Sequence, residues 1–215
     1  MSEQSAPSLS RRRLLALAGA ALPAAAVSAC GVLPALPPPS QLYRLSPKST
    51  FDSDIPNVPL QLGIEPPLAP AGLNSSQIAV MRGELTMDYF ARAKWIDTAP
   101  SMVYRLLVES FENSEKIVGV GRSGVGLRSD YELQTELREF QAEYLYGATV
   151  PKIRVRINCK LVKIPQRIIV ASHSFESMRE APDNKMDNIV KSFDLALGNV
   201  MKKIVGWTLK SVAEL

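Results

Sequence analysis

Residues 152–161 constrain the fold more tightly than any other stretch. Apolar Ile153, Val155, Ile157, Cys159 and Leu161 alternate without a break with polar Lys152, Arg154, Arg156, Asn158 and Lys160. Successive side chains of a strand point to opposite faces, so this segment is a strand with one covered face and one polar face. A sheet of that kind needs a cover, and the C-terminal segment supplies one. Ile189, Phe193, Leu197, Val200, Ile204 and Leu209, with Val190, Met201, Val205 and Val212, recur at helical spacing in a wide apolar stripe. Asp183, Asn184 or Asp187 is placed to cap that helix, and Lys202, Lys203 and Lys210 lie towards its C-terminal end, where cations suit the macrodipole. Gly198 and Gly206 each cost about 1 kcal/mol against alanine inside a helix, which points to close packing on the sheet.

The neighbouring segments extend the sheet. The alternation lapses at Val162-Lys163-Ile164, and after Pro165-Gln166 a further strand runs from Arg167 to Phe175. Residues 131–146 fit two templates. Leu133, Leu137, Phe140 and Tyr144 make a helical stripe, with Ser129 and Glu132 as a capping box. Tyr131, Leu133, Thr135 and Leu137, then Phe140, Ala142, Tyr144 and Tyr146, also alternate, with one shift that a β-bulge absorbs. Periodicity does not arbitrate between strand and helix here. The strong strands that follow favour a strand and hence an antiparallel meander.

Earlier in the chain, Tyr43–Leu45, Leu60–Ile64, Ile78–Met81 and Leu85–Trp95 read as strands, and 46–58 as loop. Pro66, Pro67 and Pro70 end the second strand, and Arg82-Gly83-Glu84 is a turn. Met102, Val103, Leu106, Leu107 and Phe111 put a helix over Ala99–Asn113, with Asp97 or Thr98 as its cap and Pro100 in its first turn. Ile117–Val120 is a strand, and no internal repeat is present. The expected fold is α+β: a mixed, largely antiparallel sheet with a C-terminal meander, packed by a middle helix and a long C-terminal helix.

The N-terminal segment addresses the chain. Arg11, Arg12 and Arg13 precede an alanine- and leucine-rich run, which ends at Val27-Ser28-Ala29-Cys30. A basic region, an apolar region and a small-residue cleavage site are the three parts of an export signal. The run falls short of the roughly 20 apolar residues that span a bilayer. Ser10-Arg11-Arg12 before Leu14-Leu15 has some likeness to a twin-arginine signal, but a charged n-region is the better account of the three arginines. Val-Ser-Ala-Cys resembles the bacterial lipobox. Cleavage would leave Cys30 as the N-terminus, carrying acyl chains such as palmitate on its sulfur and amine. At about 0.8 kcal/mol per buried methylene, three chains make a permanent anchor. Gly31 stands where an inner-membrane retention aspartate often lies, which points to the outer membrane, facing the periplasm. The expected organisation is a signal peptide at 1–29, a lipidated cysteine with a proline-rich tether at 30–42, and one domain at 43–215. Of 25 basic and 21 acidic residues, three arginines and one glutamate precede Cys30, so the exported part is close to neutral and nothing in it calls for nucleic acid.

Candidate chemistry is sparse. With Cys30 acylated, Cys159 is the one remaining thiol, so no intrachain disulfide forms. It lies on the apolar phase of its strand and reads as a small core residue. A single histidine, His173, excludes most metal clusters. Gly119, Gly121, Gly124 and Gly126 spell G-x-G-x-x-G, but a dinucleotide site also needs a strand before it, a helix after it and a later acidic residue. A loop or a glycine-bearing edge strand is the better reading, and no cofactor is expected. Ser123 follows Gly121, but Val125 breaks the G-x-S-x-G elbow. His173, its one available partner, sits in an alternating strand, so no enzymatic activity is expected. Lys152, Arg154, Arg156 and Lys160 share one strand face. They are either a solvated face or a contact for phospholipid headgroups or an acidic partner.

The order of segments resembles a known family. The lipobox and tether are followed by Tyr43-Arg44-Leu45, Leu62-Gly63-Ile64-Glu65-Pro66-Pro67 and Ile78-Ala79-Val80-Met81-Arg82. Then come Tyr89, Phe90 and Trp95, Pro100 opening a helix, the meander and the final helix. This layout resembles the ABC-type transport auxiliary lipoproteins, which include the lipoprotein of the Pqi system. The resemblance implies partners: an MCE-domain protein with an ABC permease and ATPase, moving phospholipids or other hydrophobic compounds between inner and outer membranes. Ring-shaped partners leave room for a homo-oligomer. It carries over no catalytic residue, only the lipidated Cys30. A structural or assembly lipoprotein of the outer membrane is the alternative.

Overall fold

The computed structural model describes residues 38–123, 128–145 and 147–215. The signal segment, Cys30, residues 31–37 of the tether, Gly124, Gly126 and Tyr146 lie outside the described residues. In chain order the elements are β1 (Gln41–Tyr43), β2 (Val58–Ile64), β3 (Gln77–Arg82), β4 (Met87–Trp95), α1 (Ala99–Glu112), β5 (Ile117–Arg122), β6 (Tyr131–Tyr144), β7 (Lys152–Lys163), β8 (Ile168–Glu180) and α2 (Met186–Ala213).

Strand β6 organises the sheet. Along one edge it pairs antiparallel with β7 from Tyr131↔Lys163 to Glu143↔Lys152, and β7 pairs antiparallel with β8 along its whole length. This is the expected meander, and it settles 131–144 as strand. On its other edge β6 changes partner midway. Its start pairs parallel with β2 (Leu62↔Tyr131), and its end pairs parallel with β3 (Ala79↔Gln141). The chain leaving β2 bridges the gap: Leu68 donates to the Thr135 carbonyl, and Leu137 donates to the Leu68 carbonyl. The register of β6 on β7 slips between Leu137 and Glu139, leaving Arg138 as the extra residue of a bulge. The sheet therefore forks. One branch continues through β2 to β5, parallel, and the other through β3 and β4 to β1.

The covered face is the one that alternation marked. Leu133, Leu137, Phe140 and Ala142 of β6 are buried with Ile153, Val155, Ile157, Cys159 and Leu161 of β7. Helix α2 lies over β7 and β8, and its stripe from Ile189 to Val212 is buried as expected. Trp95, Phe140 and Phe193 meet in a triangle with ring centroids 5.2–5.6 Å apart, joining β4, β6 and α2. On α1 the residues Met102, Val103, Leu106, Leu107 and Phe111 are buried. Among the described residues, no helix is long and apolar enough to cross a membrane.

Several local expectations shift. β1 is Gln41–Tyr43, two residues earlier than expected, because it pairs parallel with the end of β4 (Tyr43↔Trp95); Leu45 lies beyond it and is still buried. β8 runs on to Glu180, since Lys152 at the start of β7 still offers it a partner. Neither helix has a side-chain cap. The Thr98 hydroxyl donates to Ser101 Oγ, and Asp97 accepts the Thr98 N–H and pairs with Arg105. α2 begins after Lys185, and Asp183 instead accepts from the Lys185 N–H and the Asn188 side chain. Those hydrogen bonds, the backbone one foremost, hold the Asp183 carboxyl below the usual carboxylate range. The α2 glycines face the 46–57 loop rather than the sheet: a Cβ on Gly206 would meet Ile55 Cδ1 at 3.5 Å, and one on Gly198 would meet Lys48 Cδ at 3.9 Å.

Phe193→Ala is expected to lower the unfolding free energy by about 3–5 kcal/mol, because it opens the aromatic triangle. Leu195→Ala, on the exposed side of the same helix, should change it by less than about 0.5 kcal/mol. Urea unfolding followed by circular dichroism distinguishes the two.

Candidate functional site

The structure brings Lys152, Arg154, Arg156 and Lys160 together on the uncovered face of β7, and it places carboxylates among them. In register, Arg156 lies between Glu139 and Glu176, and Arg154 between Gln141 and Met178. Arg156 Nη2 donates to Glu139 Oε1 at 2.6 Å. Arg154 Nε donates to Glu176 Oε1 at 2.5 Å, and its Nη1 is 3.7 Å from Glu143. Gln141 is buried beneath this layer and donates to both Glu139 and Glu143. The hydrogen bond to Glu176 is the main cause that raises the Arg154 pKa above its ordinary value. Two of the four cations are thus engaged by a cross-strand ladder of mixed sign. Lys152 and Lys160 remain exposed at its rim, Lys152 opposite Glu143 and Glu180. An uninterrupted cationic patch for headgroups does not form. The alternation showed the cations of one strand but not the anions that its neighbours bring.

The candidate nucleophiles stay apart. Ser123 follows β5, and its hydroxyl is hydrogen-bonded to Glu132. His173 lies on β8, at the opposite edge of the sheet. Four inter-strand steps separate those edges, roughly 19 Å at about 4.8 Å each. His173 is exposed, with its ring 4.6 Å from that of Phe175. Cys159 faces the core, and burial pushes its thiol up to about 12. Gly119 and Gly121 sit inside β5, an edge strand, rather than in a strand-to-helix turn. No cluster of His, Cys, Asp and Glu among the described residues could hold a metal ion.

A cavity of about 440 Å³ lies elsewhere, where β1, the β3–β4 hairpin, the end of β6 and the start of α2 converge. Arg82 and Arg92 line it together with Tyr43, Phe90, Tyr144 and Ile189. Arg82 closes β3; its N–H donates to the Thr86 carbonyl, and Gly83 turns the chain at φ +84°. Arg92 belongs to an irregular stretch of β4. From Ala79↔Tyr89 to Gln77↔Lys94, β4 uses three residues more than β3, and Arg92 takes φ +58°. The Tyr43 hydroxyl donates to Asp187 at 3.0 Å, the Tyr144 hydroxyl donates to Asn184, and the Arg82 guanidinium stands 5.9 Å from the centre of the Tyr144 ring. Burial raises the pKa of both phenols; Asp187 adds to the effect at Tyr43, and Arg82 opposes it at Tyr144. From the sequence Arg82 stands out as a turn residue and as the end of the Ile78–Arg82 segment, with no binding role, and Arg92 does not stand out. The Arg82-Gly83 turn was the one signal available, because a bulge that redirects Arg92 depends on pairing between strands.

Known proteins share this architecture. The sequence profile of the family described as "ABC-type transport auxiliary lipoprotein component" matches residues 43–205. The crystal structure of protein XCC0632 from Xanthomonas campestris is similar at a TM-score of 0.77 and 28% identity, covering 81% of this chain and 98% of that one. The hypothetical protein CT253 from Chlamydia trachomatis shares the fold at a TM-score of 0.55 and 8% identity, over 74% of this chain and 100% of its own. An uncharacterized protein of Bradyrhizobium diazoefficiens is 28% identical over 124 residues, 57% of this chain; the match spans about a third (32%) of that relative's length.

Burial of Cys159 has a measurable consequence. With its pKa near 12, only about one thiol in ten thousand is ionised at about pH 8. Iodoacetamide should leave the Cys159 peptide unmodified in the folded chain and alkylate it fully in guanidinium, as read by mass spectrometry.

Proposed function

The chain belongs to the ABC-type transport auxiliary lipoprotein component family, and from that membership we propose that it is a lipid-anchored periplasmic partner of an MCE-type lipid transport system. The observation that carries this reading is the family match itself, which runs over residues 43–205 and takes in β2 to β8, α1 and most of α2, with the last residue of β1. In this reading, residues 1–29 are removed and Cys30 carries the acyl chains. Residues 30–40 form the tether, two residues shorter than expected because β1 begins at Gln41, and 41–215 form the domain that docks at the outer membrane. An MCE-domain protein would conduct phospholipids or other hydrophobic compounds between the two membranes. A separate ABC permease and ATPase would supply the energy, since this sequence carries no G-x-x-x-x-G-K-[ST] motif.

The mixed ladder on β6–β8 fits a protein partner better than a membrane surface. Alternating charges at fixed spacing set register and reject wrong partners, whereas an anionic bilayer selects for net positive charge. Lys152 and Lys160, exposed at the rim of the ladder, are the cations that remain for carboxylates of a docked protein.

A crosslinked pull-down of the C-terminally tagged chain from native membranes, read by mass spectrometry, tests the reading. Recovery of an MCE protein with a permease and ATPase, diminished for Cys30→Ala, is the expected result. Recovery of barrel-assembly or peptidoglycan-linked proteins in their place would overturn it in favour of a structural lipoprotein.

A further inference from the structure

We propose that the cavity framed by Arg82 and Arg92 binds an anionic amphiphile, its phosphate between the two guanidiniums and its chain over Phe90 and Met186. The geometry of the site stands by itself. That the amphiphile is an envelope lipid rests on the proposed function.

Among the described residues Arg92 has no ion-pair partner. Arg82 has only Asp88, 3.8 Å away, with both side chains more than half exposed. A pair of that kind contributes little and yields readily to a better anion. Guanidinium presents a planar fork of donors that matches a phosphate face to face. The other carboxylate close by, Asp187, is already engaged by the Tyr43 hydroxyl. Phe90 and Met186 give the same cavity a partly exposed apolar side, bordered from the core by the buried Ala93 and Ile189. At about 440 Å³ it falls in the range of small-molecule sites, about 300–1,000 Å³.

A left-handed φ is costly for any residue that has a Cβ. Arg92 adopts φ +58° and points no charge at a partner that would compensate within the fold. The irregular stretch 90–93 ends where β1 joins β4 at Ala93, and it also sets Phe90 and Arg92 in the same cavity wall. Bulges that re-aim side chains gather beside binding sites, and strain persists where the site uses it.

Gln41, also in the cavity wall, is eleven residues after Cys30. That length of chain extends at most about 36–40 Å. An anchor at Cys30 would therefore limit the distance from Gln41 to the leaflet that holds it to about 40 Å at most.

The test uses the full-length chain in dodecyl maltoside, whose uncharged head makes the detergent a built-in control for the acyl chain. Dodecyl phosphate and inorganic phosphate are titrated separately, and bound species are counted by native mass spectrometry. One dodecyl phosphate per chain is expected, at least tenfold tighter than inorganic phosphate. The Arg82→Gln/Arg92→Gln variant should bind it at least tenfold more weakly, and Lys152→Gln/Lys160→Gln should bind it unchanged. Undiminished binding by the double arginine variant overturns the site. Inorganic phosphate binding as tightly as dodecyl phosphate overturns the amphiphile and leaves a phosphate site. Arg92→Gly separates structure from binding, because glycine takes φ +58° without strain. It should weaken binding while the melting temperature holds or rises, and a fall in both would make Arg92 structural and sink the proposal. No transporter enters this measurement. Binding without recovery of an MCE protein would therefore overturn the transport partnership and keep the site; the reverse outcome would keep the partnership alone.

Discussion

Burial of the α2 stripe against the meander is the interaction on which the rest of this domain depends. Strands β6, β7 and β8 make a sheet with one apolar face, and such a sheet is not stable in water uncovered. At 28 residues α2 is about 42 Å long, enough to follow the strands it covers. Phe193, Leu197, Val200, Met201, Ile204, Val205 and Leu209 are fully enclosed, each contributing about 1.5–3 kcal/mol by burial. No covalent tie assists. Cys159, the free cysteine of the described residues, is itself part of the core.

The fork in the sheet makes that cover more important. The β2–β5 branch and the β3–β4–β1 branch are hydrogen-bonded to different ends of β6 and not to each other. Packing must hold them in place. The triangle of Trp95, Phe140 and Phe193 ties the end of β4 to the middle of β6 and to α2. Helix α1, which packs against β5 and α2, does the same for the other branch. A hydrogen bond from the Lys48 N–H to Ser110 Oγ then pins the 46–57 loop across α1.

What the sequence made legible was whatever repeats locally. The two faces of β7, the α2 stripe, the α1 stripe and even the single phase shift in β6 can be counted along the chain. Whatever depends on a distant segment could not be read. The exchange of partners by β6 follows from β2 and β3, both more than fifty residues earlier. The last residues of β8, Glu176–Glu180, are polar but for Met178, show no apolar alternation, and become a strand because β7 extends far enough to pair with them. The cations of β7 read as a uniform patch, because the glutamates that answer them belong to β6 and β8. The caps were misplaced for a related reason. Asp183 and Asp97 use their carboxylates to shape the turns before the helices, a choice that propensity does not encode.

Two irregularities in the strands, both at arginines, show how structural and functional departures from the pattern can be told apart. Arg138 bulges where β6 passes from one parallel partner to another, and its guanidinium closes on Glu136 at 2.9 Å. That bulge has a topological cause, and its charge is satisfied within the strand. The irregularity at Arg92 also has a topological neighbour, since β1 joins β4 at Ala93, but its charge finds no ion-pair partner among the described residues. β3 and β4 are joined by a tight hairpin that would pair without interruption, yet β4 takes three additional residues, one of them left-handed. Local pattern, topology and electrostatics agree nearly everywhere else in this chain. Consistency across those levels is what specifies a fold, and the exceptions concentrate where something other than folding is being served. By that criterion the fold accounts for Arg138 in full, whereas at Arg92 it accounts for the change of register and leaves an unanswered charge beside Arg82, which the proposed ligand would meet.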